Sequence, residues 1–134
     1  MYFYSMKIII STLLLIGLAM NVNAQKDAWK AFEIKDLSDK RESTGNPYLK
    51  FLDEKTMSMG LYVLPVGTVD KQQPHKLDEA YYIIEGKAIL KVEKDDVHVK
   101  PGSTVFVKAN VTHSFIKIEE DLKILVFFST AEIK

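Results

Sequence analysis

After Asn46-Pro47 the chain is a succession of short apolar runs, many alternating with polar residues at a period of two. β-branched and aromatic residues concentrate at 48–53, 56–64, 78–85, 88–93, 96–100, 104–108, 113–118 and 122–129. Turn formers and charged pairs separate them, among them Pro65-Val66-Gly67, Gly86-Lys87, Lys94-Asp95, Pro101-Gly102, Ala109-Asn110 and the acidic 119–121 stretch. Short strands at close spacing with turn signals between them predict an all-β sandwich or barrel. Residues 25–45 are mixed and polar, with Trp29, Phe32, Ile34 and Leu37 as the strong apolar anchors and no long helical period. The expected organisation is an N-terminal arm over 25–47, extended and packed on a barrel formed by 48–134.

Alternation also assigns faces, because side chains along a strand point to opposite sides in turn. Met57, Met59, Leu61 and Val63 share one face, and Ala88, Leu90 and Val92 share another. Lys123 should face water, which sends Ile124, Val126 and Phe128 inward and leaves Leu125 and Phe127 outside. An outer apolar pair of this kind wants a cover. The arm or a second subunit would supply it, so a homodimer is expected.

The first residues have a different pattern. Lys7 is followed by an uncharged, largely apolar run over 8–20 and then by Val22-Asn23-Ala24. A positive start, a short apolar stretch and small or modest residues before the cut are the layout of a signal peptide, here residues 1–24. The run is short for a membrane span, which needs about 20 residues. Translation starts at Met1 or Met6, and the argument is the same for both. The expectation is an exported protein, periplasmic or secreted, without a stable membrane anchor.

What remains is a length suited to one domain with one core. Lys7 is the only charge in the leader, and Lys plus Arg equal Asp plus Glu in the whole chain, so the mature part carries one more acid than base. That balance suggests neither nucleic acid nor an anionic membrane as a partner. The chain has no cysteine. Stability outside the cytoplasm must then come from packing, aided by metal or by self-association rather than by disulfides.

The candidate chemistry lies between Gly67 and Gly86. Gln73, His75 and Glu79 are separated by two and four residues, so an extended segment would point all three to one side. His113 opens a later strand, and Phe115 shares its parity. Imidazole nitrogens with a carboxylate oxygen suit Fe, Mn, Ni or Zn ions, and one divalent metal held by Gln73, His75, Glu79 and His113 is the expected cofactor. Asp78 has the wrong parity to join them. His98, between Val97 and Val99, is expected on the surface. Met59, Leu61, Tyr81 and Phe115 are the candidate lining of a substrate pocket.

At these residues the chain resembles the cupin superfamily. The family's first motif, G-x5-H-x-H-x3/4-E-x6-G, is met at Gly67, His75, Glu79 and Gly86, with Gln73 in place of the first histidine. Its second, G-x5-P-x-G-x2-H-x3-N, is met at Gly102 and His113, with Lys108, Asn110 and Lys117 replacing proline, glycine and asparagine. The resemblance implies a single-domain, all-β, jelly-roll barrel. Asn110 is a mild replacement, since asparagine enters the left-handed region more readily than other non-glycine residues. Lys117 is expected on solvated strand surface. At Gln73 an amide oxygen, a weaker donor, stands where the family has imidazole.

Two classes of function follow. One is a metal-dependent, dioxygenase-like enzyme acting on a small organic molecule inside the barrel, because two histidines and one carboxylate leave positions open on Fe(II). Glu79 would be both ligand and catalytic proton carrier, and the same ligands on other ions would serve isomerase or lyase chemistry. The other class is a non-catalytic module that captures a small molecule or sugar. The residue pattern does not choose between them.

Overall fold

The computed structural model describes residues 28–129. The proposed leader and cut site therefore lie outside the described residues. Residues 28–33 belong to a unit of their own, form no helix or strand, and expose Trp29 and Phe32. The second unit begins at Ile34 and contains helix α1 (Ile34–Thr44) followed by β1 (Tyr48–Asp53), β2 (Met57–Leu64), β3 (Glu79–Val92), β4 (Asp95–Val99), β5 (Thr104–Val107) and β6 (His113–Ser129).

The helix corrects the expectation of an extended arm. Its only buried residue is Leu37, so it carries no apolar stripe to betray its period. End effects define it instead. Asp36 lies in the first turn and Arg41 in the last, each matching the helix dipole. Gly45 closes it with φ of 70° and an N–H bonded to the Glu42 carbonyl, a left-handed stop that suits glycine. The helix packs on β1 and β2.

All strand pairs are antiparallel, in the order β1-β2-β6-β3-β4, with β5 pairing to β3. The all-β expectation holds, with one difference in connectivity. Four of the predicted strands merge into two long ones. β3 runs through Gly86-Lys87 and β6 through 119–121 without reversing, and the pair is bent by register shifts between Ile83 and Ile89. Gly86 takes φ of 95° at this bend, where any Cβ would collide with the Asp121 backbone. A residue that reads as a turn signal here marks a bulge, which curves a strand rather than ending it. Lys117 is exposed as expected but adopts φ of 51°, so it belongs to the same bend and not to regular strand surface. Asn110, with φ of 66°, does occupy the left-handed conformation.

Cross-strand partners share a face, which allows the inside to be traced. Tyr81, Ile83, Leu90, Val107, Phe115, Leu122, Ile124 and Val126 form the buried core, with Phe128 packed against it. Leu125 and Phe127 lie on the outer face, as the alternation predicts, and are partly covered. For β2 the predicted face is inverted. Gly60, Tyr62 and Leu64 pair with Val126, Ile124 and Leu122 and look inward, whereas Met59 and Leu61 pair with Phe127 and Leu125 and look outward. Leu61 is nonetheless fully buried, on the side of the strand where α1 packs.

Candidate metal centre and cavity

Glu79 opens β3 and His113 opens β6, and their side chains meet inside the barrel. His113 Nε2 lies 2.9 Å from Glu79 Oε2, with both side chains 2% exposed. The Nδ1 of the same ring lies 2.7 Å from the Val111 carbonyl oxygen, to which it donates. That bond fixes the ring so that Nε2 faces the carboxylate, the usual way an outer partner orients a ligating histidine. Burial alone would lower the pKa of His113. The hydrogen bonds to Glu79 and to the Val111 carbonyl, with the charges of Glu79 and Asp70, outweigh it and hold the pKa above its ordinary 6.5.

His75 comes from the loop over 65–78, between β2 and β3. Its Nε2 lies 3.7 Å from Glu79 Oε2, and its ring packs edge-on against Phe128 with centroids 4.9 Å apart. Its carbonyl accepts from Asn110 N–H at 2.6 Å, joining the loop to the turn that precedes His113. One donor atom each from His75, Glu79 and His113 lies within 4.8 Å of the others. Ligands sit about 2.0–2.2 Å from a first-row ion, so neighbouring donors around one ion are roughly 3 Å apart. The His113–Glu79 spacing already matches this, and His75 requires a modest inward adjustment. The donor set fits a divalent metal.

Gln73 does not join the group, which corrects the sequence expectation. It is exposed, and its amide turns to the Lys71 carbonyl. Gln72 reaches the centre instead. Its Oε1 accepts from Tyr81 OH at 2.9 Å and lies 3.5 Å from His75 Nε2. The reason is the loop's course: counting parity back from Glu79 assumes an extended segment, and 65–78 is not one. Asp70, not singled out by the motif, directs it. Its buried carboxylate accepts from Tyr62 OH at 2.7 Å, Gln72 Nε2 at 2.6 Å, Gln72 N–H at 3.2 Å and, across the barrel, Phe115 N–H at 2.8 Å. Asp78 stays outside the cluster, its carboxylate accepting from Ala109 N–H. His98 is exposed.

A cavity of about 240 Å³ opens beside the cluster. Gln72, His75 and Glu79 form its polar side. Pro47, Tyr48, Tyr62, Val126 and Phe128 form the rest. Of the four predicted lining residues none forms its wall. Met59 and Leu61 are on the outer face, Phe115 packs in the core behind Tyr81 with ring centroids 5.2 Å apart, and Tyr81 meets the site from the core side, its hydroxyl donating to Gln72 Oε1 and its ring lying edge-on to His113 at 6.0 Å between centroids. Tyr48 was missed because it lies ahead of the motif, and Tyr62 because its strand was read with the opposite parity. Burial first, then the charge of Glu79, raises the Tyr48 pKa to about 12. Tyr62 and Tyr81 are pushed up further, again chiefly by burial. All three phenols are therefore neutral donors at physiological pH.

Residues 60–128, just over half of the chain, match the cupin domain family. An uncharacterized protein of Streptomyces coelicolor is 45% identical over 103 residues, covering 77% of this chain and 98% of its own length. Among solved structures, KdgF from Halomonas sp. superposes with a TM-score of 0.57 at 16% identity, over 64% of this chain and 79% of its own. DMSP lyase DddQ from Ruegeria pomeroyi gives 0.58 at 18% identity, over 65% of this chain but only 47% of the lyase. A putative mannose-6-phosphate isomerase from Ralstonia eutropha gives 0.52 at 19%, over 63% and 83%. At such identities the structures speak for the jelly-roll fold alone. The family match and the Streptomyces relative go further, and by them the chain belongs to the cupin family.

Proposed function

We propose that this cupin holds one divalent metal ion through His75, Glu79 and His113 and uses it on a small organic molecule bound in the adjoining cavity. The observation that carries the reading is the convergence of three donors within 4.8 Å, two of them buried and oriented by hydrogen bonds. Two imidazoles and one carboxylate on Fe(II) would supply oxygen activation with positions left open for the substrate. The remaining roles belong to the chain. Val111 holds the tautomer of His113, Gln72 ties Tyr81 to the Asp70-anchored loop that carries His75, and Glu79 is positioned to exchange a proton with the bound molecule. We further propose that the protein works outside the cytoplasm, on the strength of the pattern over 1–24.

Elemental analysis of protein purified without added metal tests the core of the reading, with one equivalent per chain expected in the wild type and loss of it in His113→Ala. A wild type that takes up no Fe, Mn, Ni or Zn in titration overturns it. Oxygen uptake by the Fe(II)-loaded protein then separates a dioxygenase-like enzyme from a module that merely captures its ligand.

A further inference from the structure

We infer that the cavity admits a ring-sized, largely apolar molecule carrying a single oxygen head, and that Tyr48, seated on Gly60, limits its length; this rests on the metal reading above. Size comes first. At about 240 Å³ the space falls just below the roughly 300–1,000 Å³ of drug-sized sites. Wall chemistry comes second. Tyr48 and Tyr62 meet edge-to-face at 6.1 Å between ring centroids, and His75 and Phe128 do so at 4.9 Å. Four rings in the lining of a small cavity offer faces and edges to a planar body.

Charge is the third constraint. Among the described residues no lysine or arginine lines this space; Arg41 and Lys71 line a neighbouring groove instead. A divalent ion with Glu79 leaves one positive charge, enough for one anionic oxygen such as a phenolate or enolate. A phosphate dianion would carry a second charge into an apolar wall with no partner, which is costly.

Gly60 explains how the wall is set. It faces inward beside Val126, and a Cβ placed there would run into the ring end and hydroxyl of Tyr48. The bare backbone is what lets the ring lie flat on β2. Because the obstructing atoms are the far end of a side chain, an alanine at 60 displaces Tyr48 rather than the strand.

The test uses full-length protein loaded with Zn(II) and two probes that share one body, 4-nitrophenol and 4-nitrophenyl phosphate, followed by calorimetry. We expect 4-nitrophenol to bind at least tenfold tighter than the phosphate. Gly60→Ala should weaken 4-nitrophenol at least tenfold while the Zn(II) affinity stays within twofold. Tyr48→Ala, a second variant that shortens the wall, should shift preference toward the longer 2-naphthol. Equal binding of the two nitrophenyl probes, or unchanged selectivity in both variants, overturns the inference. Zn(II) affinity is measured separately, so protein that binds the metal but not 4-nitrophenol refutes the cavity assignment and leaves the metal reading standing.

Discussion

Truncating the two histidines of the centre should have unequal effects on the metal-free protein and equal effects on metal binding. His113 and Glu79 are each 2% exposed and 2.9 Å apart, so solvent does not screen them. His113→Ala strands a buried carboxylate and removes the donor to Val111. Breaking a buried pair from one side costs about 3–5 kcal/mol. His75 is 34% exposed and 3.7 Å from Glu79; its main loss on truncation is the edge contact with Phe128, about 0.5–1.5 kcal/mol. Urea denaturation in the presence of a chelator should therefore place His113→Ala well below His75→Ala. A metal at a hundred times its Kd adds about 2.7 kcal/mol to a protein that binds it only when folded. The wild type should gain that amount and both variants should lose nearly all of it. If His75→Ala keeps the full gain, the centre is an ion pair with a neighbouring histidine and the metal reading fails. If His113→Ala is as stable as wild type without metal, the energetic account of the buried pair is wrong.

Four further outcomes are expected. The raised pKa of His113 means its imidazolium adds stability that is complete below 6.5 and is lost as pH rises through the folded-state pKa; chelator-treated protein should show a falling urea midpoint across that window. Saturation with Zn(II) should remove the fall, since the metal competes for the same nitrogen. Gln73→His should leave metal affinity unchanged, whereas Gln72→Ala, which cuts the tie from Asp70 and Tyr81 to the loop that carries His75, should weaken it; titration of the two variants decides. The outer face presents Met57, Tyr82 and Phe106 exposed, with Leu125 and Phe127 partly covered, and a homodimer over this face should appear in analytical ultracentrifugation and weaken in Phe106→Glu. A monomer at all concentrations refutes that. N-terminal sequencing of the native product should begin at Gln25, and retention of Met1 or Met6 would refute cleavage after Ala24.

Where the chain's own chemistry was local, the sequence was readable. Lys123 needs water, and that single requirement places Ile124, Val126 and Phe128 inside and Leu125 and Phe127 outside, as observed. His75, Glu79 and His113 stand at the family motif's positions, and the fold brings one donor atom of each within 4.8 Å of the others. β2 was not readable in the same way. Both of its faces are apolar, one in the barrel and the other where α1 packs, so alternation carries no preference, and only pairing with β6, some sixty residues later, decides that Tyr62 looks in and Met59 out. The helix itself left no stripe because one leucine suffices to dock it, although the charges at its ends and Gly45 were there to be read. The exchange of Gln73 for Gln72 is the sharpest case. Spacing relative to Glu79 favours Gln73 only in an extended chain, while the actual path is bent by Asp70, whose carboxylate is claimed by Tyr62 before it and by Phe115 forty-five positions after it. A buried carboxylate with four donors fixes a loop as firmly as a strand ladder does. The Phe115 donor lies far from Asp70 in the sequence, so the glutamine that reaches the centre is selected by a contact that exists only once the barrel has closed.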